Sequence, residues 1–160
     1  MQFFLTKNKK IITVIVLLLA TISCIYGAAK KASSVKDKNP SNTNSVKLLA
    51  RLINGEARGE PYLGQVAVGA VVMNRVKDPK FPNTISGVIY QKGQFSCVTD
   101  GNFDKPIKEG STVYKAAEEA LNGSDPSNGS IYFYNPKTAK SDWLFTRPVV
   151  KTIGNHRFAK

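Results

Sequence analysis

Apolar positions recur at helical spacing from the middle of the first third of the chain. Leu48, Leu49, Leu52 and Ile53 fall three and four apart, which predicts an amphipathic helix capped by Ser45 and ending near Arg58 or Gly59. Pro61 stands just inside a second helix that runs through Gln65-Val66-Ala67-Val68-Gly69-Ala70-Val71-Val72-Met73-Asn74 to about Val76. That segment is apolar or small nearly all round and lacks the strict alternation of a strand, so it predicts a buried helix. Gly69 and Ala70 allow a neighbouring helix to approach closely. After the turn-rich Asp78-Pro79 and Phe81-Pro82-Asn83, Thr84 or Ser86 caps a short helix with Ile85, Val88 and Ile89 inward. A polar loop from Thr99 to Gly110 follows, then a helix capped by Ser111 and stopped by Gly123, with Glu118 and Glu119 on its solvated face. The period then changes. Ser130 to Pro136 alternates like a short strand, and Val149–Ile153, Gly154-Asn155, His156–Phe158 reads as a hairpin over a two-residue turn. The expected class is α+β, a helical core with a small antiparallel β element.

Ahead of this domain the pattern is different. Residues 1–29 carry Lys7, Lys9 and Lys10 and then an uncharged run from Ile11 to Ala29, which reads as an export signal. Gly27-Ala28-Ala29 fits a cleavage site, the length of the run fits a retained membrane anchor, and Thr21-Ile22-Ser23-Cys24 loosely fits a lipoprotein box. Residues 30–44 are polar and rich in lysine, as expected of a flexible linker, leaving residues 45–160 as one domain. With Cys24 in the leader, Cys97 stands alone in the mature chain as a small buried hydrophobe, and no disulfide is expected. The net charge is +12, and a leader ending before Lys30 takes away three lysines and no acid. A basic surface attracts any polyanion, whether nucleic acid, anionic membrane or bacterial wall, and charge does not choose among them.

Candidate chemistry narrows the field. Neither GxGxxG nor a phosphate loop occurs. His156 is the only histidine, so a hydrolase triad or a metal centre has too few groups to draw on, and no metal or cofactor is expected. Carboxylates remain. Ile53, Leu52 and Leu49 precede Glu56 by three, four and seven residues, which places Glu56 on the face that enters the core. Burial raises a carboxylate's pKa, and a general acid working near neutral pH requires that shift. Spacing alone nonetheless favours a structural glutamate, hydrogen-bonded or paired with Arg58 or another arginine, since structural ion pairs also perturb such groups. Glu60, before Pro61, reads as a helix-boundary residue.

LLARLINGEARGEPYLGQVAVGAVVMNRV, FPNTISGVIYQKGQFSCVTDG, AAEEALNG, SIYFYNP and RPVVKTIGNHRFAK, in that order over residues 46–160, resemble the catalytic domain of cell-wall hydrolases of the spore cortex-lytic enzyme (SleB/CwlJ) family. The resemblance implies a lysozyme-like fold and cleavage of peptidoglycan between N-acetylmuramic acid and N-acetylglucosamine. It also implies that Glu56 is the catalytic acid, which reverses the preference drawn from spacing. Family members look like lytic transglycosylases, in which one carboxylate serves as acid and then as base. A hydrolase needs a second carboxylate, and Asp100, Asp104 and Glu109 lie in a loop that could reach the cleft. Gln94 and Ser96 match the family's Gly-Gln-Phe-Ser segment, and Tyr134 with Asn135 matches Tyr-Asn-Pro. These four are expected around the cleft, with Trp143 as a sugar platform. The alternative for each is fold maintenance, with Asn135 capping the turn at Pro136. The resulting expectation is an exported monomer acting on glycan strands at the wall or spore cortex, with membrane association through the N-terminal segment and no nucleic-acid partner. A catalytically silent wall-binding protein is the alternative.

Overall fold

Helix α1, Pro40–Ala57, opens the part of the chain that the computed structural model describes, residues 40–160. The expected leader, and the linker as far as residue 39, lie outside the described residues. The linker was expected to reach residue 44, but helix begins at Pro40, ahead of the Ser45 cap. Proline tolerates the first turn of a helix, where its missing N–H would have no partner anyway. Helix α2, Tyr62–Lys77, follows after the turn at Gly59-Glu60-Pro61 and settles the β-branched run as helix. Its buried residues run almost without a break from Gly64 to Val72, as expected of a segment apolar on every side.

Short α3, Ile85–Ile89, is capped by Thr84, whose Oγ1 accepts from the Gly87 N–H at 3.0 Å. A one-turn helix α4, Ser96–Thr99, leads into the polar loop expected from Thr99 to Gly110, which itself holds a 3₁₀ turn, Asn102–Asp104; the two bury Cys97 and Phe103. Helix α5, Val113–Leu121, ends at Gly123, whose φ of 96° is the left-handed conformation expected after a helix. Strand β1, Tyr132–Tyr134, is followed by a further short helix, α6, Asp142–Phe145. The hairpin of β2, Val149–Ile153, and β3, His156–Ala159, closes the chain. The sheet is antiparallel in the order β1-β3-β2, with Phe133 opposite Phe158 and Ile153 opposite His156. The α+β class is borne out.

One core joins these pieces. Leu49, Leu52 and Ile53 of α1, Val66, Val68, Val71 and Val72 of α2, Val113, Ala116 and Ala117 of α5, and Phe158 of β3 are all buried in it. Gly69 lies where α1, α2 and α5 meet. A methyl there would stand 2.8 Å from Ala120 Cβ and 3.2 Å from Ile53 Cδ1, a clash of the kind that costs about 1–3 kcal/mol. Among the described residues no helix is long and apolar enough to cross a membrane.

Candidate active site

The last turn of α1 delivers Glu56 where its spacing places it, half-buried at the end of the apolar face. Its Oε1 accepts the main-chain N–H of Cys97 at 3.0 Å, so the acid is held by a backbone donor and not by Arg58, which is exposed. Two small residues permit this. Cys97 is buried, and a methyl on Gly55 would lie 2.6 Å from its Cβ and 2.8 Å from its Sγ. α1 and α4 therefore touch where Gly55 has no side chain, and that contact brings the Cys97 N–H onto the carboxylate. Burial, then the neighbouring Glu56 carboxylate, pushes the Cys97 thiol far above its usual range, so it stays protonated beside the acid. The Cys97 main-chain N–H thus fixes one oxygen of the Glu56 carboxyl, and the Cys97 thiol hydrogen-bonds to the same group.

Four residues on, Glu60 has a task that no local pattern announces. Its Oε2 accepts the Asn155 N–H at 2.8 Å and its Oε1 accepts Asn155 Nδ2 at 3.1 Å, tying the tip of the β2–β3 hairpin to the α1–α2 turn. Gly154, with φ 57°, leaves the space that the carboxylate fills, and a Cβ there would run into Glu60 Oε2 and Pro61 Cδ. Gln65 braces the same turn from below. It donates from Nε2 to the Glu60 carbonyl at 3.2 Å and accepts from Thr112 Oγ1 at 2.7 Å. The next hairpin residue, His156, is buried, with Nδ1 lacking a hydrogen-bond partner and its ring 5.2 Å from that of Phe133. Burial lowers its pKa, outweighing the opposing pull of the Glu60 and Glu56 carboxylates, so the imidazole is neutral near pH 7.

The remaining expected residues divide into three groups. Ser96 is exposed at the start of α4, one residue from the donor to Glu56, and Gln94 is half-buried in the turn before it. Ser96 therefore adjoins the residue that holds Glu56, while the Gln94 N–H donates to the Gln91 carbonyl at 3.1 Å. Tyr134 is only 5 % exposed and packs edge-on against Phe145 at 5.4 Å, so nearly all of its surface goes to packing. Asn135 turns its Oδ1 to the Lys137 N–H at 2.9 Å, while its carbonyl accepts from Thr138 and Ala139. It is a turn cap. Trp143 is 48 % exposed on α6 and meets Tyr132 at 5.0 Å, almost perpendicular. Phe95 joins the two regions, since its ring lies 6.3 Å from that of Phe133 in β1.

Sequence reasoning missed Arg75 altogether. It is buried, donates from Nε to the Ile131 carbonyl at 2.7 Å, and lies 5.0 to 5.7 Å from the rings of Phe81, Phe95 and Tyr132. Burial pulls its pKa down to about 10, so it remains a cation, caged by aromatic faces that fix Phe95 and the entry to β1. Two of the three loop carboxylates have partners within the loop or on α1. Asp104 pairs with Arg51, whose guanidinium lies over Phe103 at 4.2 Å. Asp100 accepts the Asn102 N–H at 2.9 Å, and hydrogen bonds from Asn102 hold it below the ordinary carboxylate range. Among the described residues no three His, Cys, Asp or Glu side chains gather as a metal site.

The family model described as cell wall hydrolase matches residues 59–159, beginning just after Glu56. The spore cortex-lytic enzyme of Bacillus cereus is 48% identical over 122 residues, 76% of this chain and 46% of that protein. A match of that length in this chain necessarily takes in Glu56. The spore cortex-lytic enzyme of Bacillus subtilis is 43% identical over 134 residues, 82% of this chain and 43% of its own. The chain thus spans less than half the length of these relatives. Among solved structures, the catalytic domain of the germination-specific lytic transglycosylase SleB from Bacillus anthracis superposes with a TM-score of 0.69 at 46% identity, covering 79% of this chain and all of that one. The catalytic domain of the Bacillus cereus SleB protein gives 0.67 at 49% identity, over 74% of this chain and 91% of its own. On this evidence the chain belongs to the cell wall hydrolase family.

Proposed function

We propose that this chain cleaves the glycan strand of peptidoglycan between N-acetylmuramic acid and N-acetylglucosamine, outside the cytoplasm, at the cell wall or spore cortex. Glu56 is the reacting carboxylate. It gives a proton to the glycosidic oxygen as the C1–O bond breaks, and the C6 hydroxyl of the muramic residue attacks C1. The hydroxyl's proton returns to Glu56, which restores the acid. No water is consumed and the new end is a 1,6-anhydro sugar. The observation that carries this reading is the Cys97 N–H on Oε1 at 3.0 Å, which orients the Glu56 carboxyl group at the end of α1. The commitment of Glu60 to Asn155 and of Asp104 to Arg51 supports a one-carboxylate route.

A hydrolytic route has one observation in its favour. Asp100 closes α4 at its C-terminal end, which makes it the loop carboxylate on the same short element as the donor that holds Glu56. The test of Glu56 is the release of soluble fragments from purified peptidoglycan by the Glu56→Gln chain. Loss of release with an unchanged melting temperature supports the assignment, and release equal to wild type removes it.

A further inference from the structure

Arg147, at the end of α6, has a charge that the fold does not use. Its guanidinium carbon lies 4.5 Å from the centre of the Trp143 ring, and its Nε is buried with no hydrogen-bond partner. Among the described residues the one ion pair is Arg51–Asp104, so no carboxylate answers Arg147. Trp143 remains 48 % exposed despite the perpendicular contact from Tyr132, and Phe145 beside it is also exposed. Stacking the guanidinium on the indole fixes its plane and spends none of its outer donors. A brace for Trp143 needs only the aliphatic stem of the side chain. An unpaired fork of donors beside a half-exposed indole fits a ligand that offers both an apolar ring face and an anion, because guanidinium binds carboxylate through two parallel hydrogen bonds.

We propose that Trp143 and Arg147 form a subsite for a sugar ring bearing a carboxylate. The proposal rests on the peptidoglycan reading above, in which the lactyl group of muramic acid, or the peptide attached to it, supplies the anion. The indole takes the ring face and Arg147 takes the carboxylate.

Trp143 is the only tryptophan of the chain, so intrinsic fluorescence of the full-length protein reports this subsite directly. Three disaccharides serve as probes: neutral di-N-acetylchitobiose, N-acetylglucosaminyl-N-acetylmuramic acid with its free lactyl carboxylate, and the same disaccharide carrying a stem peptide. The expected result is that a carboxylate-bearing probe binds roughly tenfold tighter than the neutral one, the worth of one charge-assisted hydrogen bond. Which of the two acidic probes gains most identifies the source of the anion. Arg147→Gln closes the gap, and Arg147→Lys keeps part of it. Equal affinities for all three probes, or a preference that survives Arg147→Gln, would overturn the proposal. These outcomes stand apart from cleavage. An enzyme that cuts peptidoglycan without charge preference at Trp143 loses only the subsite, and one that binds as expected but releases nothing loses only the assigned reaction.

Discussion

Gly55→Ala tests how the acid is held. The added Cβ would stand 2.6 Å from Cys97 Cβ and 2.8 Å from its Sγ, and ordinary contact begins at 3.4 Å, so the two helices must separate by about 0.8 Å. The Cys97 N–H now sits 3.0 Å from Glu56 Oε1. Moving it by that amount stretches the bond to roughly 3.8 Å, beyond hydrogen-bonding range. Overpacking of this kind costs about 1–3 kcal/mol, and replacing a helical glycine returns up to about 1 kcal/mol. The net cost of about 0–3 kcal/mol lowers the melting midpoint by up to roughly 10 °C. The catalytic effect is larger, because a reacting group displaced by close to an ångström loses on the order of a hundredfold in rate. The assay is fragment release from purified peptidoglycan well below the melting transition, with a melting curve for each variant. Cys97→Gly removes both clashing atoms and keeps the main-chain N–H, so adding it to Gly55→Ala restores at least about tenfold of the lost rate. Full activity in Gly55→Ala, or a loss that matches its unfolded fraction and is not relieved by Cys97→Gly, would refute the reasoning.

Other perturbations follow from the same geometry. Gly154→Ala combines a left-handed φ of 57° with collision against Glu60 and Pro61. It should destabilise the chain by about 2–4 kcal/mol in a denaturant melt, whereas Glu60→Ala, which only releases Asn155, should cost about 1–2 kcal/mol. Arg75→Ala removes the bond to Ile131 and the stacking on Phe81, Phe95 and Tyr132. An expected loss of about 3–5 kcal/mol by chemical denaturation follows from that burial. His156 supplies a pH dependence. Its folded pKa is lowered from 6.5, so the unfolded chain takes up a proton that the folded chain resists. Its contribution is fully present above pH 6.5 and is lost as pH falls from there toward the folded value. Melting temperature should therefore drop on acidification below 6.5, and less steeply in His156→Phe. A second loss belongs to Asp125, where hydrogen bonds from Ser127, Asn74 and Gly129 outweigh burial and hold the pKa below 3.8. Its contribution is present above 3.8 and disappears at lower pH, and Asp125→Asn should flatten that limb of the melting profile.

Long periodic segments were legible because each residue's surroundings follow from spacing alone. Glu56 lands on the buried face with Leu49, Leu52 and Ile53, and the Gly154-Asn155 turn joins the strands as its residue types require. The short helices α4 and α6 were not legible, since a single turn has no period to detect. The grip on Glu56 comes from a main-chain N–H, which carries no residue-type signal. Glu60 and Asn155 are 95 residues apart and meet only once the hairpin has docked. Tyr132 and Tyr134 share a face of β1 by alternation, yet Tyr134 is buried and Tyr132 half-buried. The difference lies in what packs on each, Phe145 or Trp143, both from a helix that the pattern of the chain did not announce.

The most direct test of the central claim is mass spectrometry of the fragments that the full-length chain releases from vegetative peptidoglycan and from spore cortex in parallel, with Glu56→Gln alongside. Anhydro-ended fragments, lighter by one water than reducing ends and absent with Glu56→Gln, are the predicted result. Reducing ends would contradict the single-carboxylate route and point to Asp100, and equal release by Glu56→Gln would contradict the assignment of the acid itself.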